Sequence, residues 1–297
     1  GSMFHFTDSI AVNNLSINKS VIDFCIVKLT KLCKYNDDSI WIHCTQLLKE
    51  DKLYEVHSVK QQMLCLLNLF ISSRGEERLQ DTCEEIRKET GVKVTAIATD
   101  HSTDEGREKI ISSCPSPDIL VGTCTPPMHT PNFETVSPDD WRKTLEVSLL
   151  SPVAFMKELI PGMVERKWGR IVNIGTGAAK TPAEVRILSG APRAALVNYS
   201  VAVSKKVARH NVAINNILPG MHHTAATGET YQNLADKNGT SYDEEVKKFT
   251  EKWRIPARKF GTSDDFGAFV TMFCSQQATY VIGQSLVIDG GIDNTTF

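Results

Sequence analysis

Three absences in the 297-residue sequence limit what the protein can be. Basic residues do not outnumber acidic ones, and at a net charge of −2 we expect no nucleic-acid partner. The eight cysteines form no CxxC pair and lack metal-ligand spacing, which is typical of reduced thiols in a cytoplasmic protein. The most apolar early stretch, residues 21–33, is too short and too charged for a membrane span or a signal peptide. We therefore expect a cytoplasmic protein with no membrane partner.

Glycine is missing from a long N-terminal stretch. After the first residue, which resembles a cloning remnant, the next glycine is Gly75. Residues 3–38 are predicted to form an atypical, mainly helical N-terminal segment. Residues 39–66 are predicted to form a divergent first strand, at Ser39–Cys44, followed by a helix. The sequence leaves open whether residues 3–66 are a native adaptation or an altered N-terminus.

From about residue 67 the sequence alternates short apolar runs with stretches of helical periodicity. The predicted strands are Leu67–Ser73, Val92–Thr99, Asp118–Val121, Arg170–Ile174, Val212–Leu218 and Ser285–Asp289. The predicted helices are Glu76–Thr90, one from Thr103, one at about 138–166, one at about 190–209, Tyr242–Trp253 and Ser263–Cys274. Strands that alternate with helices predict a doubly wound α/β fold, with a parallel sheet covered on both faces.

The helix at 138–166 has the clearest start signal. Ser137 is a good cap, Pro138 suits the first helical position, and the two acidic residues that follow favour the helix dipole. Apolar residues at helical spacing predict one buried stripe, formed by Leu145, Leu149, Val153, Met156 and Ile160.

Three segments of the chain match the motifs of one family in order. Arg170–Ile174 is similar to that family's fifth strand. Asn215–Gly220, followed by Thr224, is similar to the Pro-Gly loop that supports a nicotinamide ring. Gly283–Gly291 is similar to the C-terminal signature. On these motifs, residues 67–293 resemble the short-chain dehydrogenase/reductase family, particularly its 3-oxoacyl-reductase-like branch.

The resemblance implies a fold, a cofactor and an assembly. It implies a Rossmann-like domain over residues 39–297, with NADP or NAD as the cofactor and a small-molecule ligand. It also implies a homodimer or homotetramer, paired through the two long helices at about 138–166 and 190–209. The cofactor-binding residues that it carries over are Arg74, Asp100, Pro219, Gly220 and Thr224.

The family's four catalytic positions are occupied by different residues here. Its hydride transfer uses a Tyr as proton donor, a Lys that lowers the Tyr pKa, a Ser at the carbonyl oxygen and an Asn that holds a water relay. Counting back from the Pro-Gly loop puts the Tyr position at Ser189 and the Lys position at Arg193. The Ser position is Thr176 and the Asn position is Ser148. Only the hydroxyl at Thr176 matches the family's chemistry.

Neither replacement at the Tyr and Lys positions is a suitable proton donor near neutral pH. An alcohol has a far higher pKa than a phenol, and arginine is effectively never deprotonated. The planar fork of Arg193 suits a ribose or a carboxylate, and Ser189 is predicted to cap a helix with Pro192 in its first turn. Tyr199 and Lys205 are six residues apart, so we expect them to be helix surface and not a catalytic pair.

The turn that should hold the cofactor pyrophosphate also lacks glycine. Dinucleotide binding in this fold requires bare backbone at a helix N-terminus. Counting back from Arg74 places this turn at residues 44–52, where side chains, two of them acidic, fill the space. The family's Asn-Asn-Ala-Gly motif is replaced by Gly122–Thr125. These substitutions argue against dinucleotide binding.

Three functions stay open at this point. The first is a protein of ketoreductase ancestry that has lost standard hydride transfer. The second is an active NAD(P)H-dependent oxidoreductase of unusual design, with Thr176 as the oxyanion partner and water as the proton source. The third is a pocket repurposed for non-redox chemistry, with His129, His222 or His223 as the acid or base.

Overall fold

One seven-stranded sheet organises the protein. The computed structural model describes residues 41–46, 67–124 and 132–293, and every structural statement below refers to these residues. The strands are β1 (Trp41–Gln46), β2 (Leu67–Ser73), β3 (Lys93–Ala98), β4 (Ile119–Gly122), β5 (Gly169–Ile174), β6 (Val212–Pro219) and β7 (Ser285–Ile288). They lie in the order β3-β2-β1-β4-β5-β6-β7. The predicted strands are confirmed to within two residues at each end.

The helices are α1 (Glu76–Thr90), α2 (Asp104–Ser113), α3 (Pro138–Leu145), α4 (Ser151–Glu165), α5 (Ile187–Val207), α6 (Ala225–Asn238), α7 (Tyr242–Lys252) and α8 (Ser263–Cys274). A π-helical turn, Glu146–Leu150, joins α3 and α4 into one long helix. The sequence analysis did not predict α6. The predicted doubly wound, Rossmann-like α/β fold is confirmed.

Helices cover both faces of the sheet. Helices α1 and α8 pack on one face, where Leu79, Ile86, Val270 and Phe273 meet strand residues such as Ile71. On the other face, α2, α4 and α5 cover the sheet, and their buried residues include Ile110, Phe155, Leu159, Met163 and Leu196. The site therefore has to lie at an edge of the sheet, where strands end and loops begin.

Strand β1 departs from the predicted all-parallel sheet. The pairs β2–β3, β4–β5, β5–β6 and β6–β7 are parallel, but β1 runs antiparallel to both β2 and β4. Its first residue, Trp41, pairs with Ser72 and Gly122, and its last, Gln46, lies opposite Leu67. The chain thus leaves β1 at the edge where β2 begins. An antiparallel pair of this kind needs no crossover over the sheet, whereas a parallel pair does.

The long helix confirms the predicted start and corrects the predicted stripe. Ser137 Oγ accepts a hydrogen bond from Asp140 N, and the Asp140 carboxylate accepts one from Ser137 N, so the cap is reciprocal. Of the predicted stripe only Met156 is fully buried; the fully buried apolar residues are Phe155, Met156, Leu159 and Met163. The buried side is offset by one residue along the whole helix, from Thr144 and Ser148 to Phe155 and Leu159. The predicted Leu149, Val153 and Ile160 lie at the margin of this side, partly buried against the same core. By length and composition the helix passes a test for a membrane span, but its buried side chains pack against the sheet.

A buried histidine connects the end of β3 to the long helix. His101 Nδ1 lies 2.6 Å from Ser151 Oγ, and Ser151 Oγ donates to the His101 carbonyl oxygen at 2.8 Å. Burial lowers the pKa of His101 to about 4, although the charge of Asp100 works in the other direction. This histidine is therefore neutral in the folded protein near pH 7.

The buried His101 should make folding stability depend on pH. Its pKa is about 4 in the fold and 6.5 when exposed, so the unfolded chain takes up the proton first as the pH falls. The stabilisation is complete above about pH 6.5 and is lost between about pH 6.5 and 4, by at most about 3 kcal/mol from this group. Urea unfolding at pH 7, 5.5 and 4.5 measures the loss. His101→Asn should lose less stability over the same interval, and an unchanged loss would contradict the assignment.

Candidate functional site

The carboxyl ends of β4, β5 and β6 meet at one edge of the sheet, which is where doubly wound folds bind ligands. Cys124 follows β4, Thr176 follows β5, and Gly220 follows β6. The π turn of the long helix and the start of α5 lie against this edge. The parallel register of the three strands thus brings chain segments together that are far apart in sequence.

Arg193 lies at the centre of the site. Its side chain is buried, with the residue 3% exposed. Nη1 donates to Ser189 Oγ at 2.9 Å and to the Ser189 carbonyl oxygen at 3.2 Å. Nη2 donates to the carbonyl oxygen and to Sγ of Cys124, both at 3.0 Å. The Cys124 thiol in turn donates to Ser148 Oγ at 3.5 Å. One chain of hydrogen bonds therefore joins three of the four predicted catalytic positions.

Thr176, the fourth position, lies beside the same helix turn. Its Oγ1 accepts a hydrogen bond from Ala178 N at 3.4 Å and so caps the short 3₁₀ turn Gly177–Ala179. This turn packs so closely on α5 that a Cβ at Gly190 would lie 2.8 Å from the Ala178 carbonyl oxygen. The contact is one residue from Ser189, so the structure brings all four predicted positions together.

The predicted capping role of Ser189 is wrong. Helix α5 begins at Ile187, and its N-cap residue is Arg186, whose side chain makes no capping hydrogen bond. Ser189 is the third helical residue, and its hydroxyl accepts from Arg193. Pro192 is the sixth helical residue and not part of the first turn, so its missing N–H removes one helical hydrogen bond. The hydrogen bonds from Arg193 to Cys124 hold the start of α5 against the end of β4. The local sequence pattern around Ser189 contains no signal for this contact.

The second Tyr-Lys combination is not part of the site. Tyr199 is partly buried against the core on the α4 side of the sheet, and Lys205 is exposed near the end of α5. The prediction that they are not a catalytic pair is consistent with these positions.

The two residues carried over for the adenosine end of a cofactor lie after β2 and β3. Burial raises the pKa of Asp100, but the hydrogen bonds from Ser102 N (2.9 Å) and Ser102 Oγ (2.7 Å) outweigh it. The charges of His101 and Arg74 act in the same direction, and the net pKa of Asp100 is lowered. Arg74 and Asp100 are therefore neighbours, and Asp100 holds the turn before α2.

Packing and helix capping explain the residues of the Pro-Gly loop. The backbone N–H of Gly220, which follows Pro219, donates to the Ile288 carbonyl oxygen at 2.9 Å. A Cβ at Gly220 would lie 2.5 Å from the Cβ of Asp289, so the close approach of β7 requires glycine. Thr224 caps α6 through a reciprocal pair of hydrogen bonds with Thr227.

The predicted pyrophosphate turn does not follow β1 at the site edge. The edge with the carboxyl ends of β2 and β4 is where β1 begins, at Trp41, whereas Gln46 lies at the opposite edge. Of the predicted turn at residues 44–52, the described part is strand and leads away from the site; residues 47–52 lie outside the described residues. The sequence analysis expected side chains to fill the pyrophosphate turn at the site edge. This expectation is wrong, because β1 runs antiparallel to its neighbours and its last residue lies at the opposite edge.

The loop after β6 carries the two described histidines of the third hypothesis; His129 lies outside the described residues. Burial lowers the pKa of His222, whose Nδ1 lies 3.3 Å from the Gly220 carbonyl oxygen. His223 Nδ1 lies 2.8 Å from the hydroxyl of Tyr242, and the two rings stack at 5.8 Å. Burial raises the pKa of Tyr242. Within residues 41–46, 67–124 and 132–293, no cluster of metal-ligating side chains is found.

Comparisons with known proteins agree with this architecture. A family model described as enoyl-(acyl carrier protein) reductase matches residues 67–293. The chain belongs to the short-chain dehydrogenase/reductase family. It is 25% identical to the 3-oxoacyl-(acyl-carrier-protein) reductase FabG of Aquifex aeolicus, over 75% of this chain and 86% of that protein. It is 26% identical to the NADPH-dependent reductase BacG of Bacillus subtilis, over 75% and 87%.

A solved structure of the same family is also similar. The L-sorbose reductase of Gluconobacter frateurii, in complex with NADPH and L-sorbose, superimposes with a TM-score of 0.70 at 26% identity. The match covers 77% of this chain and 88% of that one. The predicted membership in the short-chain dehydrogenase/reductase family is thus confirmed.

Two glycine substitutions test the structural reason for the Pro-Gly loop. Gly220→Ala should lower the free energy of unfolding by about 1–3 kcal/mol, because its Cβ meets the backbone and Cβ of Asp289. Gly228→Ala, in α6, is the matched control: no atom lies within 4 Å of its Cβ, and the change should stabilise the helix by roughly 0.5–1 kcal/mol. Equal stability of the two variants in urea unfolding would show that the close approach is not what requires Gly220.

Proposed function

We propose that this short-chain dehydrogenase/reductase is a protein of ketoreductase ancestry that has lost standard hydride transfer and binds a small-molecule ligand at the carboxyl ends of β4, β5 and β6. The observation that carries the proposal is the buried Arg193 at the family's Lys position, hydrogen-bonded to Ser189 at the Tyr position. The residues at the family's catalytic positions leave two requirements of the reaction unmet.

The first requirement is a group that exchanges a proton near neutral pH. Ser189 has a buried aliphatic hydroxyl that accepts from a guanidinium. A guanidinium has no lone pair to accept a proton and stays charged at all accessible pH values. Together, Ser189 and Arg193 can neither donate a proton to a carbonyl oxygen nor regenerate a donor.

The second requirement is a set of free donors for the cofactor. Arginine has five N–H donors, and the hydrogen bonds of Arg193 go to Ser189 and Cys124. The donors on Nη1 and Nη2 are therefore engaged by protein acceptors, and Nε is buried. Ser148, at the Asn position, is hydrogen-bonded to the Cys124 thiol, so its shorter side chain is engaged by the same network.

The residues that would hold a dinucleotide fit only in part. Arg74 and Asp100 lie after β2 and β3, where the family resemblance implies adenosine contacts, and two of the relatives are described with NADPH. The direction of β1, however, provides no β1-to-helix turn at this edge in the described residues. We expect that NADPH or NADH binds weakly and that its ring is not presented to a proton donor.

A second candidate function has its own observation. The 2.8 Å contact between Tyr242 and His223 is a phenol-imidazole pair, in which the imidazole can take the phenol's proton as a general base. Such a pair favours a pocket repurposed for non-redox acid-base chemistry. An active reductase with Thr176 at the carbonyl oxygen and water as the proton source is the remaining alternative.

We also propose a cytoplasmic location and a homodimer or homotetramer. The family resemblance implies pairing through the long helix formed by α3 and α4, and through α5. Leu150, which is 49% exposed between α3 and α4, is an apolar contact available for this pairing.

Cofactor turnover tests the proposal directly. With acetoacetyl-CoA as the β-ketoacyl substrate, the protein should oxidise NADPH no faster than the buffer, measured at 340 nm. Saturable NADPH oxidation that is lost in Thr176→Ala would instead establish the unusual reductase. As a matched gain-of-function control, the combined variant Ser148→Asn, Ser189→Tyr and Arg193→Lys reintroduces the family's groups; any turnover that it gains shows that the dinucleotide still reaches the cleft.

The acid-base alternative has a separate test. Hydrolysis of p-nitrophenyl acetate without nicotinamide should show no saturation under the main proposal. A saturable rate that drops at least tenfold in both His223→Ala and Tyr242→Phe would favour the second candidate. His210→Ala, in the 3₁₀ turn just after α5, is the control for general effects of removing an imidazole.

A further inference from the structure

Among the four cysteines whose side chains the structure describes, Cys124 alone is not buried. Burial raises the pKa of the Cys83 thiol to about 11 and the pKa values of the Cys114 and Cys274 thiols to about 12. Cys124 is half-buried and follows β4, at the edge of the sheet where the ligand site is proposed. Of these four thiols, that of Cys124 is therefore the one that a reagent in the site can reach.

The sulfur of Cys124 lies between a cation and a proton acceptor. Arg193 Nη2 donates to Sγ at 3.0 Å, and the thiol itself donates to Ser148 Oγ at 3.5 Å. A thiol reacts as a nucleophile in its thiolate form, and a neighbouring guanidinium stabilises the negative charge that develops on the sulfur as the proton leaves. The hydrogen bond to Ser148 gives the departing proton a first acceptor. The two contacts together favour attack by the sulfur on an electrophile.

Arg193 also has an unused donor beside this sulfur. The residue is 3% exposed, and its Nε is buried without a hydrogen-bond partner among the described residues. In the planar fork of a guanidinium, the N–H of Nε lies on the same edge as an N–H of Nη2, and Nη2 is the nitrogen that contacts Cys124. A buried N–H without an acceptor is unfavourable. A ligand oxygen that reaches this edge from the side of the sulfur would satisfy it.

Arg170 shows that a buried arginine in this protein can have all of its nitrogens satisfied. It lies on β5, where Nε donates to the Ser275 carbonyl oxygen at 3.0 Å and Nη1 donates to the Asn211 carbonyl oxygen at 2.9 Å. Its Nη2 donates to Thr279 Oγ1 at 3.0 Å. The unused Nε of Arg193 is therefore a property of the site and not of buried arginines in this fold.

We propose that Cys124 is a covalent attachment site for an α,β-unsaturated carbonyl compound, whose carbonyl oxygen accepts a hydrogen bond from Arg193 Nε. The inference rests on the proposed function, because it names a chemical class for the ligand bound at the carboxyl ends of β4, β5 and β6. The sulfur forms a bond to the β-carbon, the π electrons of the C=C bond move towards the carbonyl oxygen, and the α-carbon then takes a proton. The proton that the thiol loses balances the one that the α-carbon gains, so the step needs no oxidant, reductant or nicotinamide.

The chemical class follows from the two features of the site. An α,β-unsaturated carbonyl compound offers an electrophilic carbon to the sulfur and an oxygen on which negative charge develops as the S–C bond forms. Fixed donors aimed at such an oxygen lower the barrier of the reaction, and Arg193 Nε is a fixed donor of this kind. A thiol reagent without a carbonyl group engages the sulfur alone and leaves Nε unpaired.

Rates of thiol modification in the full-length protein test the site. Methyl vinyl ketone is the probe, and methyl methanethiosulfonate, which has no carbonyl group, is the control reagent. Mass spectrometry of the digested protein follows each cysteine separately at pH 7. We expect methyl vinyl ketone to modify Cys124 at least tenfold faster than it modifies glutathione, while Cys83, Cys114 and Cys274 react more slowly than glutathione. A Cys124 rate at or below that of glutathione would overturn the proposal.

Variants of Arg193 separate its effect on the sulfur from its contact with the carbonyl oxygen. Arg193→Gln removes the charge and the fork, and it should slow methyl vinyl ketone at least tenfold and methyl methanethiosulfonate by a smaller factor. Equal factors for the two reagents would show that Arg193 acts on the sulfur alone and would refute the carbonyl contact. Arg193→Lys keeps a charge on a single nitrogen, so it should restore the rate with methyl methanethiosulfonate more than the rate with the ketone.

The control variant is Arg209→Gln, which removes an exposed arginine just after α5 and should leave both rates at Cys124 unchanged. If the Arg193 variants unfold, the rate at Cys124 in the parent protein, compared with glutathione, still decides. Circular dichroism distinguishes an unfolded variant from a folded one with a slow thiol.

The test separates this inference from the proposed function, because no nicotinamide is present. Turnover of NADPH contradicts the proposed function whatever the rate at Cys124. A slow Cys124 together with absence of NADPH turnover contradicts only the attachment site.

Discussion

The guanidinium of Arg193 determines the geometry of the site. It spans the end of β4, through Cys124, and the first turn of α5, through Ser189. A buried charge is costly unless its donors are satisfied, so these hydrogen bonds fix both segments at once. Ser148 on the long helix is added through the Cys124 thiol. The residues at the Tyr, Lys and Asn positions are thus joined in one polar network, so these substitutions depend on one another.

Packing contacts in the half of the fold from β5 to β7 explain why the family motifs are present there. The side chain of Asn215 on β6 donates to the Val281 carbonyl oxygen at 2.8 Å and accepts from Gln284 N at 2.9 Å. Asn173 on β5 donates to Ser200 on α5 at 3.0 Å. Buried amides of this kind must be paired, and Gly220 must let β7 approach. The Pro-Gly loop and the C-terminal signature can therefore persist for packing, independent of hydride transfer.

The sequence predicts elements well and contacts poorly. Periodicity and caps gave α1 and α8 with their observed bounds, because those signals are local. The direction of β1 could not be predicted, since an apolar strand pattern reads the same in either direction. The capping role of Ser189 was wrong because the Arg193–Cys124 contact joins residues 69 positions apart. Cys124 and Tyr242 were missed for the same reason: their partners are distant in sequence.

The coupling of Ser189 and Arg193 also explains why a single reversion should not restore chemistry. Arg193→Lys alone shortens the donor that reaches Cys124 and leaves an aliphatic hydroxyl at the Tyr position. Ser189→Tyr alone places a phenol ring into a turn packed against Ala178 and the fixed guanidinium, where overpacking destabilises. Each change is unfavourable without the other, since one buried charge and one buried hydroxyl satisfy each other. A pair of this kind is stable against stepwise return to the reductase, because each reversion has to occur together with the other.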